Sequence, residues 1–305
     1  KDPDHLQYQV SQLLVGSGFN EIITNSLTSP KYSEQLKDFE SGMDVQIVNK
    51  LSEELGVMRQ SLLFTGIEVL SYNINHRQKD LKLFEFGKIY WQENNKYKEH
   101  YKLAIFLSGD IEAENWRNQS RSSDFHDLSA VVSKIVGRFI NKLPDQKYFE
   151  NDTFDYGLEL NVDNRNLGYL GKISSKAGQL ADLKQRFFYA ELDWEQLISL
   201  SEAEYSYTDV SKYPEVRRDL SLVIDKDVTF DQIKEVAHKN ENRLIRNINI
   251  FDYYEGENIG SDKKAYALSF ILQEKDKTLT DKVIDKTMAR LMTSFEKELG
   301  ATIRK

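Results

Sequence analysis

Asp252 and Tyr254 stand two residues apart in a run that reads as a strand, so a carboxylate and an aromatic ring share one face of it. A carboxylate accepts hydrogen bonds from a base amino group, and an exposed ring stacks on a base for about 1–3 kcal/mol. The pair therefore suits nucleobase reading. Residue sets for covalent or metal chemistry are not evident. The sequence has no cysteine, which excludes thiol chemistry and disulfides and fits a reducing compartment. His5, His76, His100, His126 and His238 are scattered without ligand spacing, so no metal site is expected. Glu53 and Glu54 are adjacent, and adjacent side chains diverge on any regular element, which disfavours an acid–base pair. Gly168-Tyr169-Leu170-Gly171-Lys172 is faintly like a phosphate loop, but Asn166 stands where the first glycine is required. A turn between strands is expected there.

The elements that must position Asp252 and Tyr254 lie between Ser206 and Lys305. Leu220, Leu222 and Ile224 alternate with Asp219, Ser221 and Val223, which predicts a strand with one apolar face. Thr229 and Gln232 form a capping box for a helix carrying Phe230, Ile233, Val236 and Ala237. Strands are predicted over Ile245 to Tyr254 and Ala265 to Gln273, separated by a turn at Gly256 to Asp262. A long amphipathic helix follows Thr280, with Ile284, Met288, Leu291, Met292, Phe295 and Leu299 inward, and Gly300 stops it before a last strand at Ala301 to Arg304. This βαββαβ order is ferredoxin-like, so both helices cover one sheet face and leave the other open.

Parity predicts what the open face carries. Tyr266, Leu268, Phe270 and Leu272 point to the helices, leaving Ala265, Ala267 and Ser269 outward with room for a flat group. Ile248 and Ile250 share one parity while Phe251 and Tyr253 continue the apolar pattern in the other, which predicts a bulge near Ile250 and Phe251. Asp252 and Tyr254 then face outward, joined by Arg217, Ser221, Thr302 and Arg304. A tyrosine near a strand end also suits packing, and Asp252 also suits a turn cap. These residues alone do not choose between the readings, and the module lacks the aromatic string of common RNA-recognition motifs.

The rest of the chain is longer and more acidic. A length of 305 residues suits two or three domains, and 40% hydrophobic with 30% charged residues suits a folded chain with a real core. Net charge is −8, yet residues 206–305 balance 18 basic against 18 acidic residues, so the acidic excess lies wholly before them. A neutral module predicts local RNA contact rather than a groove that tracks phosphates. The chain starts Lys1-Asp2-Pro3 without methionine, as expected of a piece of a longer protein. Helices are predicted over Leu6 to Leu14, ended by Gly16-Ser17-Gly18, over Leu62 to Ile74, and between Asp127 and Asn141. Strands are predicted over Glu21 to Leu27, Leu81 to Phe86, Gly87 to Trp91, Leu103 to Leu107, Phe154 to Leu160, Leu167 to Ile173 and Phe187 to Leu192. They do not alternate strictly with helices, which predicts an α+β fold with a largely antiparallel sheet flanked by helices. A linker is expected at Ser201 to Pro214.

Several strings resemble the β subunit of bacterial phenylalanyl-tRNA synthetase. They are Leu51-Ser52-Glu53-Glu54-Leu55 with Met58-Arg59-Gln60-Ser61-Leu62-Leu63, then Lys79-Asp80-Leu81-Lys82-Leu83-Phe84-Glu85-Phe86-Gly87-Lys88. Tyr213-Pro214 with Arg217-Arg218-Asp219-Leu220-Ser221, Phe251-Asp252-Tyr253-Tyr254-Glu255-Gly256 and the stretch from Lys264 to Gln273 complete them. The resemblance covers essentially the whole chain. It implies a noncatalytic class II synthetase-like core over residues 1–205 and a ferredoxin-fold anticodon-binding domain over 206–305. It further implies a cytoplasmic (αβ)2 heterotetramer in which a catalytic α subunit joins phenylalanine to tRNA(Phe) with ATP and magnesium, while this stretch holds no cofactor of its own. The family's editing and magnesium-associated modules lie upstream of the matching region.

The family's anticodon contacts carry over to Asp252 and Tyr254, the pair that parity turns outward. Ala265 stands where the family has a serine, which puts one polar contact in doubt. A working class II site needs an arginine in the pattern aromatic-Arg-x-acid, and Tyr90-Trp91-Gln92-Glu93 has tryptophan there. It also needs a glycine-rich strand and a second arginine, and Phe187 to Glu195 offers neither. The competing reading is a regulatory module that binds a small molecule such as an amino acid at a ferredoxin-like domain. A stand-alone enzyme is a third. The apolar face of Leu62 to Ile74 suits either an internal core or contact with the α subunit.

Overall fold

The computed structural model describes residues 2–50, 52–201 and 209–304, so Leu51 and much of the expected linker lie outside the described residues, as does the side chain of Glu53. The chain divides into two compact units, Lys1–Glu204 and Tyr205–Lys305. In the first, Asp2 caps helix α1 (Pro3–Gly16) by accepting the Asp4 N–H at 3.1 Å. Strands β1 (Asn20–Glu21) and β2 (Leu27–Thr28) follow, and residues 22–26 between them lie outside any strand, so the continuous strand expected from Glu21 to Leu27 does not form. Next come α2 (Lys31–Gln35), β3 (Val57–Met58) and α3 (Leu62–Asn75), whose cap Ser61 accepts the Leu63 N–H at 3.1 Å.

A long hairpin then joins β4 (Leu81–Glu93) to β5 (Lys96–Ser108) through Asn94 and Asn95, both in the left-handed region at φ +51° and +58°. Gly87 does not divide β4 as the sequence suggested. A Cβ there would lie 2.5 Å from an Arg59 nitrogen and 2.9 Å from a Leu62 methyl, so the glycine admits the neighbouring layer rather than breaking the strand. A small pair, β6 (Asp110–Glu112) and β7 (Arg121–Ser122), precedes α4 (Phe125–Val136), which starts with a capping box of Asp124 and Asp127. The unit continues with β8 (Asp145–Phe149), β9 (Phe154–Val162), β10 (Arg165–Ile173), α5 (Ser175–Gln179), β11 (Phe187–Asp193) and α6 (Trp194–Leu200). The reversal between β9 and β10 is at Asp163 and Asn164, with φ +51° and +62°. Gly168 to Lys172 therefore lies within β10, not in a turn. Gly168, at φ +128°, approaches β11 so closely that a Cβ would meet the Glu191 carbonyl oxygen at 2.1 Å.

Seven of these strands form one sheet in the order β1-β4-β5-β11-β10-β9-β8, antiparallel except where β1 runs parallel to β4. Apolar side chains fill both of its faces. Leu14 of α1, Leu128 and Val132 of α4 and Leu197 of α6 pack with Phe84, Ile105 and Phe188 on one side. Phe64 and Ile67 of α3, with Tyr32 and Leu36, pack with Leu83, Phe106 and Tyr189 on the other. Leu62, Leu63, Phe64, Ile67 and Leu70 are all buried, so the apolar face of α3 serves the internal core.

The second unit contains β12 (Val216–Asp225), α7 (Phe230–Asn240), β13 (Ile245–Tyr254), β14 (Lys263–Leu272), α8 (Asp281–Leu299) and β15 (Thr302–Arg304). Thr229 and Gln232 form the expected capping box, and Gly300 ends α8 at φ +61°. The sheet order is β13-β14-β12-β15, all antiparallel, which is the ferredoxin-like arrangement. Ile233 and Val236 of α7 and Ile284, Leu291 and Phe295 of α8 cover Leu220, Leu222, Leu268 and Phe270 on one sheet face. Among the described residues no helix is long and apolar enough to cross a membrane.

Candidate nucleic-acid interface

The other face of this four-stranded sheet is fixed by register. In β14, Ala265, Ala267 and Ser269 alternate with the buried core residues Leu268 and Phe270. Across one strand gap they meet Tyr254, Asp252 and Asn249, and across the other Val223, Ser221 and Asp219. Arg304 and Thr302 of β15 pair with Ser221 and Val223. Asp252, Tyr254, Ser221, Thr302 and Arg304 thus share the helix-free face, together with Arg217, which has the parity of Asp219.

The phase change in β13 is a bulge. Register passes from Ile250, opposite Leu268, directly to Asp252, opposite Ala267, leaving Phe251 as the extra residue. Two successive residues then oppose one partner. Tyr253 returns to the helix side, opposite Tyr266, with ring centroids 5.6 Å apart. Its phenol donates to Glu255, which pushes its pKa up to about 12. Phe251 does not follow Tyr253 inward as the alternation suggested. It is 50% exposed and lies under the Arg217 guanidinium, 5.1 Å from the ring centroid. Arg217 is held in turn by Asp219, with its Nε donating to Oδ1 at 2.7 Å and Nη2 to Oδ2 at 3.2 Å, and this pairing raises the guanidinium pKa further.

Tyr254 is 43% exposed, and its ring folds back over Gly256, where a Cβ would lie 2.3 Å from the phenolic oxygen. Asp252 Oδ1 accepts the Tyr253 N–H at 2.8 Å, which orients the carboxylate and leaves Oδ2 with no partner among the described residues. The floor between the large side chains is less open than parity alone suggested. Ala265 and Ser269 are buried and Ala267 is half-buried, because small side chains on a central strand sit below the larger ones on either side. The face offers aromatic rings, a guanidinium and a free carboxylate oxygen, groups that stack on and hydrogen-bond to unpaired bases.

Two family models match the chain: the phenylalanyl tRNA synthetase beta chain CLM domain over residues 2–194 and the ferredoxin-fold anticodon binding domain over residues 211–304. The chain belongs to the phenylalanyl-tRNA synthetase β-chain family. Phenylalanine–tRNA ligase β subunits of Bacteroides thetaiotaomicron and Porphyromonas gingivalis are 36% and 38% identical over 98% of it. That of Fusobacterium nucleatum is 33% identical over 97%. The chain spans only 38% of the length of each of these relatives. A pyrrolysyl-tRNA synthetase from Desulfitobacterium hafniense superposes with TM-score 0.50 at 13% identity, over 65% of this chain and 68% of that one, which marks the fold as class II synthetase-like.

Two stretches of the first unit bear on the expectation drawn from the class II motifs. An ATP phosphate needs a guanidinium or comparable cation. Trp91, expected at the arginine position, has its ring partly buried on the α3 side of the sheet. All seven residues of β11 are buried, and the Glu191 carboxylate is occupied by four donors of its own chain. No three His, Cys, Asp or Glu side chains converge as a metal site among the described residues. These residues do not fit a nucleotide phosphate. The residue of this open face that sequence reasoning missed is Phe251. The bulge signalled that two neighbours share a face, but alternation gave no means of deciding which residue was the extra one.

Proposed function

We propose that this chain is the noncatalytic β-subunit portion of a phenylalanine–tRNA ligase. Residues 206–305 bind tRNA(Phe) at its anticodon, and residues 1–205 assemble with a catalytic α subunit in a cytoplasmic (αβ)2 enzyme. The ATP and magnesium of the whole synthetase act in the partner chain. The observation that carries this reading is the helix-free sheet face, on which an exposed Tyr254 and an oriented Asp252 carboxylate stand side by side in a domain of the anticodon-binding family. Stacking on Tyr254 is worth about 1–3 kcal/mol, so Tyr254→Ala is expected to weaken binding of a tRNA(Phe) anticodon stem-loop about tenfold or more. Fluorescence anisotropy against unrelated stem-loops checks it. Equal affinity for all stem-loops reduces the face to unspecific contact, and tight binding of a free amino acid to this unit favours the regulatory reading. ATP–pyrophosphate exchange is expected to be absent from the chain by itself.

Assembly is supported by a groove of about 360 Å³ in the first unit, in which Ile23, Leu27, Leu55, Val69 and Tyr72 are joined by the polar Thr24, Asn25, Thr65 and Glu68. Ile23 is 93% exposed, an arrangement that suits a partner surface. Ile23→Asp is expected to abolish copurification with the α subunit while leaving the circular dichroism spectrum unchanged. Retained copurification would move the contact elsewhere.

A further inference from the structure

We infer that Arg217 and Phe251 form a second, preassembled nucleobase-stacking site on the open sheet face, separate from Tyr254. The inference rests on the reading of this face as an RNA surface and assigns it a second base of the same unpaired loop. Phe251 is neither a core residue nor packed against the core of its unit, yet half of it remains exposed on an ordered strand. Its ring carries the Arg217 guanidinium at 5.1 Å, and Asp219 holds that guanidinium through two hydrogen bonds of 2.7 and 3.2 Å. The arginine is thereby fixed as a flat cationic plate over an aromatic ring. Unpaired bases stack on both aromatic rings and guanidinium planes. Its nitrogens already face a carboxylate, so the plate is suited to the face of a base rather than to a phosphate.

Spacing supports two bases rather than one. Phe251 and Tyr254 are three residues apart on one strand, about 10 Å at the usual rise and less across the bulge. The bulge puts both on the helix-free face, with Asp252 between them. Asp252 Oδ2 is then placed to accept an amino hydrogen from a base on either side. Neighbouring nucleotides of a loop, splayed apart and each laid on one platform, match this row. A helical duplex does not, because its bases keep their faces against one another.

The test is anisotropy titration of the whole chain with tRNA(Phe) anticodon stem-loops in which each loop nucleotide in turn is made abasic. Phe251→Ala is expected to weaken the intact stem-loop about tenfold, and Phe251→Tyr, which keeps a ring, to restore binding. The penalty of Phe251→Ala should vanish at one abasic position, and that of Tyr254→Ala at a different one. The slope of log affinity against log salt should not change for Phe251→Ala. If Tyr254→Ala weakens binding and Phe251→Ala does not, the second platform is overturned while the RNA face stands. If neither variant matters, both fall. An Arg217→Ala variant that lowers the salt slope by about one assigns Arg217 to a phosphate and overturns the stack. Abasic scanning of the unaltered chain gives an independent reading: loss at a single position also overturns it.

Discussion

Replacing Arg59 with methionine is expected to destabilise the Lys1–Glu204 unit by about 3–5 kcal/mol. Arg59 Nη1 lies 3.0 Å from Glu85 Oε1, and the two side chains are 3% and 2% exposed. The guanidinium also donates to Thr24 Oγ1 at 2.5 Å, to Thr65 Oγ1 at 3.0 Å and, from Nε, to the Lys88 carbonyl at 3.0 Å. Without it, Glu85 is a buried carboxylate held, among the described residues, only by the Thr24 N–H and hydroxyl. Breaking one side of a buried pair leaves a desolvated charge, whereas replacing both sides with apolar groups often restores stability. Arg59→Met with Glu85→Leu is therefore expected to recover much of the loss. Urea unfolding followed by tryptophan fluorescence reads this unit alone, since Trp91, Trp116 and Trp194 all lie in it. A loss under about 1 kcal/mol for the single change would mean that the pair is not what holds this layer.

The second large effect is expected at Glu191. This buried carboxylate accepts the Ser61 hydroxyl at 2.7 Å, the Leu62 N–H at 3.0 Å, and the phenols of Tyr189 at 2.5 Å and Tyr169 at 3.1 Å. No cation faces it. The N-terminus of α3 supplies the compensating partial charge. Glu191→Ala strands these donors and should cost about 3 kcal/mol or more. The same cluster sets an alkaline limit. Burial first, and then the Glu191 charge, push Tyr169 and Tyr189 well above the usual phenol pKa, and burial followed by Glu68 does the same to Tyr32. A phenol with a raised folded pKa contributes fully below its unfolded value. It loses that contribution as pH rises past about 10, by about 1.4 kcal/mol per pH unit for each tyrosine. Tyr189→Phe should flatten the slope by one such share. Stability that stays constant from pH 9 to 11 would contradict the account.

The two clusters explain what the family strings do physically. Arg59, Ser61 and Leu62 come from one string and Glu85 and Gly87 from another, and Gly87 lacks a side chain where Arg59 and Leu62 need the space. Their chemistry is internal. Sequence reading found the helices wherever apolar spacing and a cap agreed, as at α7 and α8, and found the ferredoxin-like order because all of its connections but the one between α7 and β13 are marked by glycine or a capping residue. It failed where a glycine had a different use. Gly87 reads as a break and Gly168 to Lys172 as a turn, although a strand over Leu167 to Ile173 is expected as well; both glycines lie within strands, since close approach of another layer at Gly87 and of the neighbouring strand at Gly168 leaves no local signature.

The open face divides along the same line. Alternation in one strand is a local property of the pleat, so the sequence by itself determined that Asp252 and Tyr254 face away from the helices and that a bulge intervenes near Ile250. Which residue the bulge expels depends on the partner strand's hydrogen bonds, so only the tertiary structure decided that Phe251 joins them and lies under Arg217. Tertiary packing also decided that α3 faces inward, because an apolar stripe is the same whether a sheet or another chain covers it.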